Sequence, residues 1–263
     1  MRTGRNGISF WEVVITCALA ALLVVLVLPA IQRSRSTGSV QTPAKRCALA
    51  LAQLGLALHN YHDDYGSFPP VAGRYGPDDT AQSWRVLILP YVDKAGIYDE
   101  FDFEEPWDGP HNRTLHNQLA GRYEFHRCLG NHDDTAPIAR THYLAVIGEH
   151  TAWRADRAVT LDKITDGAER TILLVEAANS AINWFEPQDL LWDALSFKIN
   201  DPNSPSPGSR HTQKYWVSDD RPYINVLLAD GSVRKLPADT PPDVLKALLT
   251  INGGEDVGDP WLP

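Results

Sequence analysis

The chain is poor in the motifs that announce a reaction. It holds no Gly-x-Ser-x-Gly elbow, no P-loop, no Cys-x-x-Cys pair and no His-Glu-x-x-His. Those absences remove the ready-made nucleophile, phosphate cradle, redox pair and zinc-hydrolase ligand set. Positive charge is also in short supply. Lys and Arg number 24 against 33 Asp and Glu, a formal charge of −9. With no basic patch interleaved with aromatics, a nucleic-acid surface is not expected. Cysteine is scarce, with only Cys17, Cys47 and Cys128. Cys17 falls in an apolar run, and spacing alone does not decide whether Cys47 and Cys128 pair or stay as two buried thiols.

What the chain does have is one long apolar stretch. Val13 to Ile31 is interrupted only by Thr16 and Cys17. As a helix it would span about 28 Å, close to the ~30 Å hydrocarbon core of a bilayer. A cleaved secretory signal has a shorter apolar core. Arg2 and Arg5 make a short basic leader ending at Gly7, and Glu12 stands at the mouth of the run. A carboxylate there either rests at headgroup level or finds a cationic partner. If the chain is cut after Gly7, Ile8 gains a new α-amine, which Glu12 of a neighbouring subunit can neutralise. Arg33, Arg35, Lys45 and Arg46 follow the run, so a count of flanking basic residues does not by itself orient it.

The rest reads as one domain. Nineteen Pro, eighteen Gly and eight Trp point to a loop-rich body with a sizeable core. Residues 32–43 lack apolar periodicity and contain Gly38 and Pro43, a linker or broken helix. From Ala44, the apolar residues Cys47, Leu51, Leu54, Leu58 and Tyr61 recur at helical spacing, and the helix should end by Gly66. Two short helical pieces broken near Pro90 are expected within Ser83 to Phe101, and another helix over His111 to Leu119. Glu124 to Cys128, Tyr143 to Ile147 and Thr171 to Ala177 read as strands. Gln188 to Leu195 reads as a helical turn or two, and residues 200–210 as an exposed loop. Tyr223 to Leu228 and Ser232 to Leu236 form a hairpin whose turn, Asp230-Gly231, would supply a positive-φ pair. Pro241 to Leu249 is a last helix, and 253–263 an acidic, mobile tail. The boundaries are thus a leader 1–7, an apolar span 8–31, a linker 32–43, a globular domain 44–252 and the tail.

The spacing from Gly7 to Glu12, the apolar helix after it, and Pro29 in the position of a helix-bending proline resemble the prepilin-type cleavage and methylation signal. Ile8 stands where the first mature residue is usually Phe. The stretch Cys47 to Pro70, with His59, Asn60, Tyr61, His62, Asp63, Gly66, Phe68, Pro69 and Pro70, resembles the signature of a bacterial pseudopilin-like family catalogued as domain of unknown function fifteen fifty-nine. Further similarities are Ser83-Trp84, Thr165-Asp166-Gly167, Glu176-Ala177-Ala178, Glu186 to Leu190, and His211 with Asp230-Gly231. Here eighteen residues separate His211 from Asp230, more than the family's spacing. The resemblance implies an α+β, type IV pilin-like fold: a long N-terminal helix, its first half transmembrane, packed on an antiparallel sheet with irregular helical insertions. It implies cleavage at Gly7–Ile8 by prepilin peptidase and assembly through Glu12 and Pro29.

Candidate chemistry is thin. His59, His62 and Asp63 share a helix face and could offer ligands to a divalent metal, the basis of a metal-dependent activity. Capping of the helix end, with hydrogen bonds into the Gly66–Pro70 turn, is the preferred reading. Ser209, His211 and Asp230 contain the residue types of a triad. Asp219-Asp220 and the Glu255–Asp259 tail contain hard oxygens suited to calcium, with solvated acid the preferred reading. Trp184-Phe185 and Trp192 could line a shallow surface. No other cofactor is implied. The expected function is a non-enzymatic, membrane-anchored, pseudopilin-like structural or assembly protein of the cell envelope, belonging to a type II secretion or type IV pilus-like system. Its partners would be the lipid bilayer, other pilin-like subunits and prepilin peptidase. It would sit in the inner membrane with a cytoplasmic N-terminus. The alternative is a tethered extracytoplasmic module binding carbohydrate or protein.

Overall fold

Thr42 starts the first helix by turning its side chain onto the helix end. Its Oγ1 accepts the Lys45 N–H at 3.4 Å, and Pro43 occupies the first turn, where its missing N–H costs nothing. Helix α1 then runs Pro43–Tyr65 through a sequence rich in Ala and Leu, which pay little entropy in a helix. It stops at Gly66, whose φ of 76° suits a residue without Cβ and whose N–H bonds the His62 carbonyl. The computed structural model describes residues 42–75, 80–119, 125–128, 139–177, 179–213 and 221–261. The leader, the apolar span with Gly7, Ile8, Glu12, Cys17 and Pro29, and most of the linker lie outside them. Among the described residues no helix is long and apolar enough to cross a membrane.

Strands β1 (Ala72–Tyr75) and β2 (Thr80–Ser83) pair as a small antiparallel ribbon. Four short helical pieces follow: α2 (Trp84–Leu87), a 3-10 turn (Leu89–Val92), α3 (Ala95–Glu100) and α4 (Asn112–Leu115), the last continued by a 3-10 turn to Leu119. The two pieces expected on either side of Pro90 are three, separated at Ile88 and at Asp93, which adopts φ 57°, and Pro90 itself fits the first turn of the 3-10 piece. The described part of the expected strand ending at Cys128, residues 125–128, is a turn.

The main sheet is antiparallel. It contains β3 (Tyr143–Leu144), β5 (Ile172–Glu176), β7 (His211–Gln213), β8 (Arg221–Leu228) and β9 (Val233–Pro237). β8 is its spine. It pairs with β7 through His211↔Tyr223, with β5 through Val175↔Val226, and with β9 from Tyr223↔Pro237 to Leu227↔Val233. The β8–β9 turn is a three-residue loop in which only Gly231, at φ 83°, is left-handed. The expected positive-φ pair is therefore a type I turn with a glycine bulge. Val146–Ile147 (β4) pairs in parallel with Leu190–Leu191 (β6), so Gln188 to Leu195 is a strand and a 3-10 turn, not a helix.

Side chains alternate across β8 and define two cores. Leu227 packs with Leu51, Leu54, Leu58 and Leu174 beneath α1. Ile224, Val226 and Leu228 face the other way, against Leu245, Leu248 and Leu249 of α5 (Pro242–Leu249). Each fully buried Leu contributes on the order of 1.5–3 kcal/mol over an exposed one. The architecture is mixed α+β with antiparallel sheets. Trp84, Trp153 and Trp184 are core residues, as is Phe185, so the Trp184-Phe185 pair lines no surface. Residues 253–261 are tied down: Gly253 and Gly254 donate N–H bonds to Asp166, while Val257 and Trp261 pack on the second core.

Candidate functional site: a buried cysteine, histidine and carboxylate cluster

Helix α1 lays Cys47 over the face of the sheet where β5 and β8 carry their polar exceptions. Cys47 and Cys128 form a disulfide, with Cα atoms 4.7 Å apart. Beneath it lie Glu176, the last residue of β5, and Asn225, in the middle of β8. Both sit among apolar strand neighbours and both are buried. A buried carboxylate needs partners, and it has them. Asn225 donates its backbone N–H to Oε2 at 2.8 Å and its Nδ2 to Oε1 at 2.9 Å. His211 Nε2 lies 3.2 Å from Oε1 and 3.4 Å from Cys128 Sγ.

The surrounding contacts fix these groups in place. Tyr143 OH donates to the Cys47 carbonyl at 3.1 Å, and His142 Nδ1 accepts the Cys128 N–H at 3.1 Å. Ser209 Oγ accepts the His211 N–H and donates to the Tyr223 carbonyl at 2.6 Å. Burial, and then the Glu176 carboxylate, push the Tyr143 phenol well above its ordinary range; Tyr223 is pushed up for the same two reasons. Both phenols stay neutral. Among the described residues, Cys47, Cys128, Glu176 and His211 are the one group of three or more His, Cys and carboxylate ligand atoms gathered closely enough to hold a metal, all within 4.8 Å of one another.

A second buried polar centre joins the helical insertion to the sheet. Arg85 of α2 pairs through Nη2 with Asp189 Oδ1, and both side chains are fully buried. Asp189 also accepts Trp84 Nε1–H at 3.0 Å and the Ala145 N–H at 2.8 Å. Burial pushes the Asp189 carboxyl up and the Arg85 guanidinium down. The donors around the carboxylate hold it charged against that push.

The other sequence candidates are dispersed. His62 meets the helix end through its carbonyl, which accepts the Gly66 N–H, while its Nε2 accepts the Leu161 N–H at 3.3 Å. His59 and His62 meet that turn through ring contacts, their centroids 5.8 and 5.2 Å from Phe68. His59 also packs on the β8–β9 turn, where a Cβ at Gly231 would come within 3.2 Å of its Cδ2. Asp63 is exposed. The three do not converge on one point. His211 and Asp230 lie at opposite ends of β8. His211 pairs with Tyr223, seven residues before Asp230, which is roughly 23 Å along a strand. No Ser-His-Asp triad forms, since Ser209 Oγ is committed to backbone groups. In the tail, Asp256 accepts the Gly258 N–H and Asp259 the Trp261 N–H, each bending its own loop. Asp219-Asp220 lie outside the described residues. Sequence reasoning passed over Glu176, Asn225 and the Arg85–Asp189 pair as site residues. Their signal was present: each of Arg85, Glu176 and Asn225 interrupts an apolar run.

A helix packed across an antiparallel sheet, pinned by a disulfide at its first turns and decorated by short helical insertions, defines the class. Within it, residues 44–128 match the family described as a protein of unknown function (DUF1559). The matched stretch spans α1 through the disulfide's second cysteine. No curated protein and no solved structure matches the chain.

Proposed function

We propose that the protein is a membrane-anchored, pseudopilin-like assembly protein of the bacterial cell envelope. One observation carries this reading. Helix α1 packs on the sheet's spine strand, and only eleven residues separate it from the apolar run Val13 to Ile31. A type IV pilin-like subunit needs that order: an apolar helical segment for the bilayer or filament core, then a helix fused to an antiparallel sheet. The outward side of α1 supports it further. Leu49 and Leu56, 49% and 62% exposed, lie two turns apart on that side and offer apolar surface to a neighbouring subunit. In this reading prepilin peptidase cuts at Gly7–Ile8, Glu12 neutralises a neighbour's amine, Pro29 bends the helix, and the domain lies outside the inner membrane.

The test is the intact mass of the protein extracted from membranes. Loss of residues 1–7, with an added methyl group, is the expected result. A mass that retains the leader would sink the processed-pilin reading.

A tethered ligand-binding module is the second reading, and one feature favours it. Tyr61, Tyr65, Leu87, Pro90, Tyr91 and Tyr98 line a surface groove of about 340 Å³. Tyr61 and Tyr65 stack at 4.4 Å, and Tyr91 OH donates to Asp64 at 2.5 Å. Aromatic faces beside a carboxylate suit a sugar ring. Glu12→Val separates the two readings: it abolishes assembly of a pilin-like subunit and leaves a tethered receptor's binding intact.

A further inference from the structure

We propose that the Cys47–Cys128–His211–Glu176 cluster is a redox-gated zinc site: a disulfide when oxidised, and a four-ligand site for Zn²⁺ when the disulfide is reduced. The inference is independent of the assembly reading. It rests on ligand type, on distance and on burial.

The ligand set is two thiolates, one imidazole and one carboxylate, all of which zinc accepts in tetrahedral geometry. With Zn–S near 2.3 Å and Zn–N and Zn–O near 2.1 Å, a tetrahedron places N about 3.6 Å from S and about 3.4 Å from O. The protein already holds His211 Nε2 at 3.4 Å from Cys128 Sγ and 3.2 Å from Glu176 Oε1. The sulfurs must part, from a bonded pair to roughly 3.8 Å, the S–S edge of the same tetrahedron, and the other ligand atoms, already within 4.8 Å of one another, must settle to edges of about 3.6 Å. Rotation of one cysteine side chain supplies such a movement without shifting α1.

The outer contacts suit a metal as well as a disulfide. Asn225 donates to both oxygens of Glu176, dispersing the charge that three anionic ligands and one dication leave behind. Tyr143 and His142 hold the backbones of the two cysteines. His211 would present Nε2 to the metal with its ring proton carried on Nδ1. All four residues are buried, so no position is left for water, and the site is structural, not hydrolytic.

The chemistry balances in two steps. A dithiol or phosphine reductant delivers two electrons, the S–S bond breaks, and two protons complete the thiols. Zn²⁺ then replaces those two protons, forming two Zn–S bonds and releasing 2 H⁺ to solvent.

The test uses the full chain, extracted in detergent, in a Cys17→Ala background so that only the two cluster cysteines remain. Oxidised and phosphine-reduced samples receive equimolar zinc, are freed of unbound metal by gel filtration, and are assayed for zinc per chain. The reduced chain should retain close to one ion and the oxidised chain close to none. Cobalt in place of zinc should give thiolate-to-metal charge-transfer absorption. His211→Ala and Glu176→Gln should each weaken binding by at least about tenfold. A reduced, folded chain that takes up no zinc overturns the proposal. So does equal affinity in wild type and His211→Ala, which would mean binding by sulfur alone. Should reduction unfold the chain, zinc must restore its circular dichroism at one ion per chain; failure to do so overturns the proposal equally.

Discussion

A charged side chain inside an apolar run is the most informative residue-scale feature of this protein. Arg85 sits between Trp84 and Val86-Leu87-Ile88-Leu89 and is fully buried against Asp189. Removing one member of such a pair strands the other without solvent. Asp189→Asn keeps the shape, loses the charge and should lower stability by about 3–5 kcal/mol in a denaturant titration. A loss below ~1 kcal/mol would show that the pair is not desolvated as described. His116 gives a pH-dependent case. Its ring stacks between Phe185 and Trp107, its Nε2 reaches the Trp107 carbonyl, and its Nδ1 faces Asn183 Nδ2. Burial lowers its pKa, with nearby Arg113 adding to the shift and the Trp107 carbonyl opposing it. The folded state therefore prefers the neutral ring, and the unfolded chain takes up the proton first. Its contribution is complete above the ordinary histidine pKa of about 6.5 and falls as pH drops below that value toward the folded pKa. Stability measured across this window should decline less in His116→Gln than in the wild type; equal slopes would assign the decline to other groups.

At the scale of elements, the closest fit is where α1 crosses the β8–β9 hairpin. A Cβ on Gly55 would stand 2.6 Å from Leu227 Cδ1 and 3.3 Å from the Gly231 carbonyl oxygen. Glycine is a poor helix former, so sequence propensity alone favours replacing it. The packing argues the opposite. Gly55→Val should cost about 1–3 kcal/mol by forcing helix and hairpin apart, readable as a lower midpoint in thermal unfolding. An unchanged or raised midpoint would contradict the close approach. The same contrast explains what was legible. Helix α1 could be read from its apolar spacing and from Gly66, since a long amphipathic segment writes its burial into the sequence. The hairpin at Gly231 was legible from the Asp230-Gly231 pair between two strand-like runs, although its turn type was not. The β1–β2 ribbon and the dipeptide strand β6 left no usable period, because two to four residues become strands only when a partner arrives; β4 was read as part of the Tyr143 to Ile147 strand, which the structure divides into β3 and β4. The cluster was half legible. The cysteines and His211 stood out by type, whereas Glu176 and Asn225 needed the register of β5 against β8 to be brought under them.

Taken as a whole molecule, the described domain is a sheet with a core on each face, α1 covering one and α5 the other. Its composition indicated a loop-rich body, and its net charge gave an expectation about partners that the fold leaves untouched. Neither indicated that residues far apart in sequence converge under the first turns of α1. The disulfide spans 81 residues of chain and begins five residues into the helix. That position has a mechanical consequence. A pull arriving from the N-terminal side along the backbone reaches Cys47 before it reaches the apolar stripe of α1. The load passes through a covalent bond into the body of the domain, and the noncovalent contacts between helix and sheet are shielded from peeling. With the disulfide opened, the same pull would unzip α1 from β8 one turn at a time. The redox state of one bond thus sets whether the domain answers tension as a rigid bead or as a strip that peels.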